Sequence, residues 1–194
     1  MKLHSLKLTK IMTVAICGIL CFAMGFAFTN IFTTKTITTT SLLANYDLDE
    51  MIERSDLIVQ GNVQSISEPF WDSENKDIIR RTVTITVNET FKGGSENNAT
   101  IELLLTGGQI GNCIQTTSPA IEFTSGDNLI LFLKQYHDNQ HYLVLNSTQG
   151  ALFAEQSTRS ISGTEYSTSE NYNFRFHSIT KEELRQAILS NEED

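Results

Sequence analysis

The sequence predicts a mainly β domain: a small closed or sandwiched β-barrel with a short helix before its first strand and a second helix at its C-terminus, the whole preceded by an apolar helix. Three observations carry this reading. Residues 82–87 alternate threonine with valine or isoleucine, the β-branched period-2 pattern of a half-buried strand. Residues 129–133 are apolar without interruption, as in a strand covered on both faces. Residues 11–32 contain no charge and precede every acidic residue of the chain, the first of which is Asp47.

Taken in order, the apolar segment comes first. Residues 11–29 read IMTVAICGILCFAMGFAFT, and at ~1.5 Å per residue a helix of that length spans roughly a hydrocarbon core. A helix buried in a globular core shows a polar stripe, and none is present here. The segment therefore reads as an export signal or a transmembrane anchor over residues 1–32. Lys2, Lys7 and Lys10 before it, and only Lys35 soon after it, place the N-terminus inside and the bulk of the chain outside. Gly25-Phe26-Ala27 offers small residues for cleavage after Ala27, whereas the length of the apolar run suits an uncleaved anchor, and both readings stand. Cys17 and Cys21 lie within this segment, so an exported domain keeps Cys113 alone and forms no internal disulfide.

Residues 33–41, TTKTITTTS, have no periodicity that buries a face and read as a threonine-rich spacer. The barrel domain is expected over residues 42–194. Asp47 caps a short helix with Glu50 three residues on, and Leu48, Met51 and Ile52 share one side of it. Strands follow around Leu57, Val59 and Val63, then at Val83, Ile85 and Val87. Lys92-Gly-Gly94 turns the chain into a third strand at Ile101, Leu103 and Leu105. Residues 129–133 form a central strand, residues 137–140 a hairpin into residues 142–145, and residues 151–153 an edge strand. Thr180-Lys-Glu-Glu183 is a capping box that opens a helix carrying Leu184, Ala187, Ile188 and Leu189.

With these elements placed, the chain resembles a known family. Ser55-Asp-Leu-Ile-Val-Gln-Gly-Asn-Val63, then Val83-Thr-Ile-Thr-Val87 leading to Thr90-Phe-Lys-Gly93, then residues 129–133, look like the strand order of the netrin-like module. That module is an OB-type barrel found in tissue inhibitors of metalloproteinases and other extracellular proteins. Phe123, Gly126 and Leu131-Phe132-Leu133 are also similar to a signature of uncharacterised exported proteins of Gram-positive bacteria and archaea. The resemblance covers residues 47–145 and implies an OB-like, netrin-like barrel. It also implies the alternative function of inhibiting or regulating an extracellular protease. Inhibitors of the family chelate the target's zinc through an N-terminal cysteine, and residues 41–46 contain none. On this resemblance the fold can carry over without inhibition.

Function classes narrow by charge and motif. The chain has 194 residues and a formal charge of −9; without residues 1–27, 11 basic groups face 23 acidic ones, a net of −12. Such a surface does not neutralise phosphates, so no nucleic acid is expected as a partner. GxSxG, HExxH, Walker and CxxC motifs are absent from the sequence. Ser178-Ile-Thr-Lys181 fits S-x-x-K but lacks its companion motifs, and the capping box accounts for it. His137 and His141 flank Asp138 without a third ligand in reach of the pattern, and Asp72, Glu74 and Asp77 lack the spacing of a calcium loop, so neither metal nor cofactor is expected. Cys113, in a Gly-rich loop, reads as an incidental thiol. The loop Glu68-Pro-Phe-Trp-Asp72 holds the only tryptophan, and Phe70, Trp71 and Asp72 are the candidate binding residues, against the alternative that Trp71 caps a barrel end. The expectation is an exported, non-enzymatic binding module, membrane-tethered through residues 11–32 or secreted, with an extracellular protein or cell-envelope ligand as its partner.

Overall fold

The computed structural model describes residues 34–154, 165–168, 175–176 and 178–191. The apolar segment, with Cys17, Cys21 and the cleavage position after Ala27, lies outside the described residues. Among the described residues no helix is long and apolar enough to cross a membrane.

Period-2 strands with one apolar face bury that face most fully by closing on themselves, and five strands do so. These are β2 (Leu57–Ile66), β4 (Ile79–Lys92), β5 (Thr100–Thr106), β8 (Asn128–Gln135) and β9 (His141–Val144). The ring runs β8-β2-β4-β5-β9 and returns to β8. All junctions are antiparallel except β5 with β9, which is parallel and has only two paired positions, Glu102 with His141 and Leu103 with Tyr142. Curvature enters at three register shifts between β2 and β4. Gly61 sits at one of them, where a Cβ would come within 2.6 Å of the Thr86 carbonyl oxygen. Leu57, Val59, Val63, Val83, Ile85, Val87, Leu103 and the odd-numbered leucines of β8 fill the interior.

β8 is the central strand that its composition predicts. Leu129, Leu131 and Leu133 face the barrel, while Ile130 and Phe132 face outward into a second core. That second core is closed by α1 (Leu48–Arg54), by β10 (Ala151–Ala154), β11 (Glu165–Thr168) and β12 (Ser178–Thr180), and by α2 (Lys181–Asn191). Both helices begin as their sequences predict. Asp47 accepts from the Glu50 amide while the Glu50 carboxylate accepts from the Asp47 amide. Glu183 accepts from the Thr180 amide at 2.9 Å, and the Glu183 amide donates to the Thr180 hydroxyl at 3.3 Å.

Glu89, on the outer face of β4, fastens α2 to the barrel. It accepts from Lys181 Nζ at 3.1 Å and from Arg185 Nε at 3.1 Å, and Lys181 also donates to the buried Gln60 side chain at 3.2 Å. Partial burial pushes the Glu89 carboxyl up, but the hydrogen bonds from Arg185 and Lys181 and their charges outweigh it and hold the group below its ordinary range.

Two expectations are corrected. Residues 151–153 are no edge, because β10 pairs with β8 on one side and β11 on the other. The threonine-rich spacer contains β1 (Lys35–Thr40), parallel to β7 (Cys113–Ser118), with β6 (Gly108–Ile110) completing a three-stranded sheet. β1 stays almost wholly exposed, so the missing apolar period was real. Backbone pairing with β7 does not require it. The Gly-rich loop is the β6–β7 turn, in which Gly111 has φ +55° and Cys113 opens β7.

Leu131→Ala empties a fully buried position and is expected to lower unfolding free energy by about 3 kcal/mol in a denaturant titration. Glu89→Gln is expected to accelerate amide exchange across α2. Because the native carboxyl is shifted down, the clamp is complete above the ordinary carboxylate range and is lost as pH falls through the lowered value; α2 protection in the wild-type chain should follow that course.

Candidate functional site

The short β5–β9 junction leaves a gap in the barrel wall. Beyond Leu103 and Tyr142 the two strands no longer pair. Residues 117–121 lie alongside, and a cleft of about 320 Å³ remains, with Leu104, Leu105, Ile121, Leu143 and Val144 among its walls. Two consecutive arginines of β4, Arg80 and Arg81, reach it from opposite faces of the strand.

Arg80 is on the outer face and its charge is paired. Its Nε donates to Asp72 at 3.0 Å, its Nη1 donates to the Thr106 hydroxyl at 2.7 Å, and its guanidinium lies 5.8 Å from the centre of the Tyr136 ring. Arg81 is in phase with Ile79 and Val83, the buried inward side chains of β4, and pairs across the ladder with Leu105. Its Nε is buried and has no hydrogen-bond partner, and among the described residues its guanidinium forms no ion pair. A buried donor left without an acceptor costs about 1–3 kcal/mol. The Ile79, Arg81, Val83, Ile85, Val87 series carries the signal: extending the apolar alternation back by two positions puts a guanidinium on the inner face.

The loop Glu68–Asp72 does not line this cleft and connects to it through Arg80. Phe70 and Trp71 form β3 and pair with Arg80 and Ile79 of β4. Opposed residues share a face, so Phe70 stands outward beside Arg80, 39% exposed, and Trp71 stands half-buried on the side of Ile79. Asp72 joins the loop to the cleft through its ion pair with Arg80. Phe70, Trp71 and Asp72 are thus neighbours in space, but on two faces of the strand. Pro69 packs against Gly108 of β6, where a Cβ would meet the proline ring at 2.9 Å.

The histidines do not form a pair. His137 lies against Tyr136, with ring centres 3.9 Å apart. His141 stands between two carboxylates, its Nδ1 2.6 Å from Asp138 Oδ2 and its Nε2 3.3 Å from Glu102 Oε2. Asp138 also accepts from the amides of His141 and Gln140 at 2.9 and 2.8 Å. The His141 amide, with the other hydrogen bonds and the His141 ring, brings the Asp138 carboxyl down to about 2. In the acidic loop Asp77 accepts from the Ser73 hydroxyl. Among the described residues no group of three His, Cys, Asp or Glu side chains is placed to hold a metal ion. A second cavity, about 270 Å³, lies between β4 and α2 at Glu89 and Arg185, whose charges are already paired with each other.

The chain matches no family model and no curated protein.

The Asp138 contacts set a pH test. A depressed carboxyl stabilises the hairpin fully above the unfolded value near 3.8 and ceases to as pH falls through about 2. The Gln140 and His141 amide resonances are expected to titrate together with a midpoint near 2, and Asp138→Asn should abolish that transition. A midpoint at the ordinary aspartate value shows that the capping bonds do not persist in solution.

Proposed function

We propose that the chain is a non-enzymatic binding module on an OB-like, netrin-like barrel, exported and either membrane-tethered or secreted, that seats a ligand in the cleft between β5 and β9. One observation carries the reading. The barrel wall is open where β5 and β9 separate, and the opening has apolar walls and a guanidinium that no side chain among the described residues neutralises. A packed structural core fills such gaps and pairs such charges, whereas binding sites combine an apolar concavity with a few unsatisfied polar groups.

The barrel class is supported by its connectivity. Numbering the barrel strands by their order in the chain, the ring is 1-2-3-5-4, with the single parallel junction between the third and fifth. A five-stranded closed barrel of this kind is the OB arrangement, which serves widely as a ligand-binding scaffold. Phe70, Trp71 and Asp72 lie outside the lining of the proposed seat and connect to it through Arg80, which Asp72 holds. Export rests on the apolar segment and its flanking lysines, and it places the partner among extracellular proteins or cell-envelope ligands.

The cleft is tested by saturation-transfer NMR of the full chain in lipid nanodiscs against a library of small apolar fragments, neutral and charged. Ala120→Trp fills the cleft from its half-buried wall. Fragments are expected to bind the wild-type chain and to lose at least tenfold in affinity with Ala120→Trp. An unchanged set of binders in the variant moves the seat elsewhere, and no binders at all removes the reading.

A further inference from the structure

Charged clusters elsewhere in the described residues close on themselves: Glu89 with Lys181 and Arg185, Asp56 with Lys134, and His141 with Asp138 and Glu102. The cleft at the β5–β9 opening does not. We propose that it takes an apolar group ending in a carboxylate, with the carboxylate on the Arg81 guanidinium and the apolar body between Leu105, Ile121 and Val144. This rests on the reading of the cleft as the ligand seat and adds the ligand's chemistry.

The polar inventory of the cleft selects the class. Three of its four hydroxyl groups are engaged, Thr117 donating to the Thr106 carbonyl at 3.2 Å, Ser147 donating to the Pro119 carbonyl at 3.2 Å and Thr106 accepting from Arg80, while the fourth, on Ser41, is exposed. Arg80 is held by Asp72 and Thr106. The charged donor without an ion pair among the described residues at the inner wall is Arg81, a planar fork of several N–H groups whose geometry matches a carboxylate edge-on. A sugar needs many paired donors and acceptors at once, and these walls offer it few. A phosphate dianion brings two charges to one free cation in apolar surroundings, which leaves a buried charge uncompensated. A monocarboxylate neutralises Arg81 through the terminal N–H groups of its guanidinium, Nε itself being buried, and fills the apolar remainder. The volume, about 320 Å³, stands at the lower end of small-ligand sites (roughly 300–1,000 Å³), so the body is small.

The same chemistry is presented by a free carboxylic acid and by the C-terminal residue of a peptide. Calorimetric titration of the full chain in nanodiscs uses N-acetyl-leucine, its neutral amide N-acetyl-leucinamide, and a tetrapeptide ending in leucine with a free carboxylate. The acid is expected to bind at least tenfold more tightly than the amide. Arg81→Gln should bring the two within about twofold of each other, and Arg81→Lys, which keeps the charge and loses the fork, should fall between. Should Arg81→Gln fail to fold by circular dichroism, Arg81→Lys and the acid-to-amide ratio of the wild-type chain decide the matter. A peptide as tight as or tighter than N-acetyl-leucine identifies a chain terminus as the source, and a weaker one identifies a free acid. Equal binding of acid and amide, both lost with Ala120→Trp, overturns the carboxylate while leaving the cleft as the seat. Acid binding unchanged in Arg81→Gln, or absent from the wild-type chain, overturns the proposal outright, and the fragment experiment then judges the seat separately.

Discussion

A strand that is apolar on both faces has to be covered twice, and β8 is that strand. Leu129, Leu131 and Leu133 on one face are covered by curling β2, β4, β5 and β9 into a barrel; Ile130 and Phe132 on the other are covered by α1, α2 and the β10–β12 extension. Transfer of large aliphatic and aromatic side chains from water contributes roughly 1.5–3 kcal/mol each, so neither face tolerates solvent. The two helices therefore belong to the same constraint as the barrel. Glu89, Lys181 and Arg185 then select the orientation in which α2 lies down, since an ion-pair network specifies geometry more than it stabilises.

Double coverage also dictates where the barrel opens. One edge of β8 pairs with β9 along its C-terminal half and with β10 along its N-terminal half, the chain crossing from one to the other through the 3₁₀ turn Ser147–Gly150. β9 is left with four residues, and two of them reach β5. The extension that buries Ile130 and Phe132 thus takes length that a longer closing strand would use. The cleft with Arg81 at its inner wall follows from that competition, and the proposed function occupies the place where the barrel is least complete.

Much of the architecture was legible in the sequence because its causes are local. The capping boxes at Asp47 and Thr180 act within one helical turn, and both are formed. Alternation over residues 82–87 and the unbroken apolar run at 129–133 state directly how many faces each strand buries. β1 and β7 left no such mark, because their strands bury little and are held by pairing between positions some 78 residues apart. β10 was legible as a strand but not as an interior one, since its partner β11 bears no pattern that names it. Of the candidate site, the aromatic loop could be read from composition. Its link to Arg80 through Asp72 could not, because that contact depends on the register of β3 against β4.

The sequence by itself determined that the chain has β-rich alternation, a twice-buried strand, two capped helices, an acidic surface beyond residue 46 and an uncharged apolar segment before it. Each of these is a property of neighbouring side chains, or a sum over them. Only the tertiary structure decided that the ring closes through two residue pairs, that β10 takes half of β8's free edge, and that Arg81 stands in the resulting gap without a counter-charge among the described residues. The reason is physical: whether a charge is paired depends on which distant segments fold beside it, and no local pattern around Arg81 encodes the carboxylate that fails to arrive.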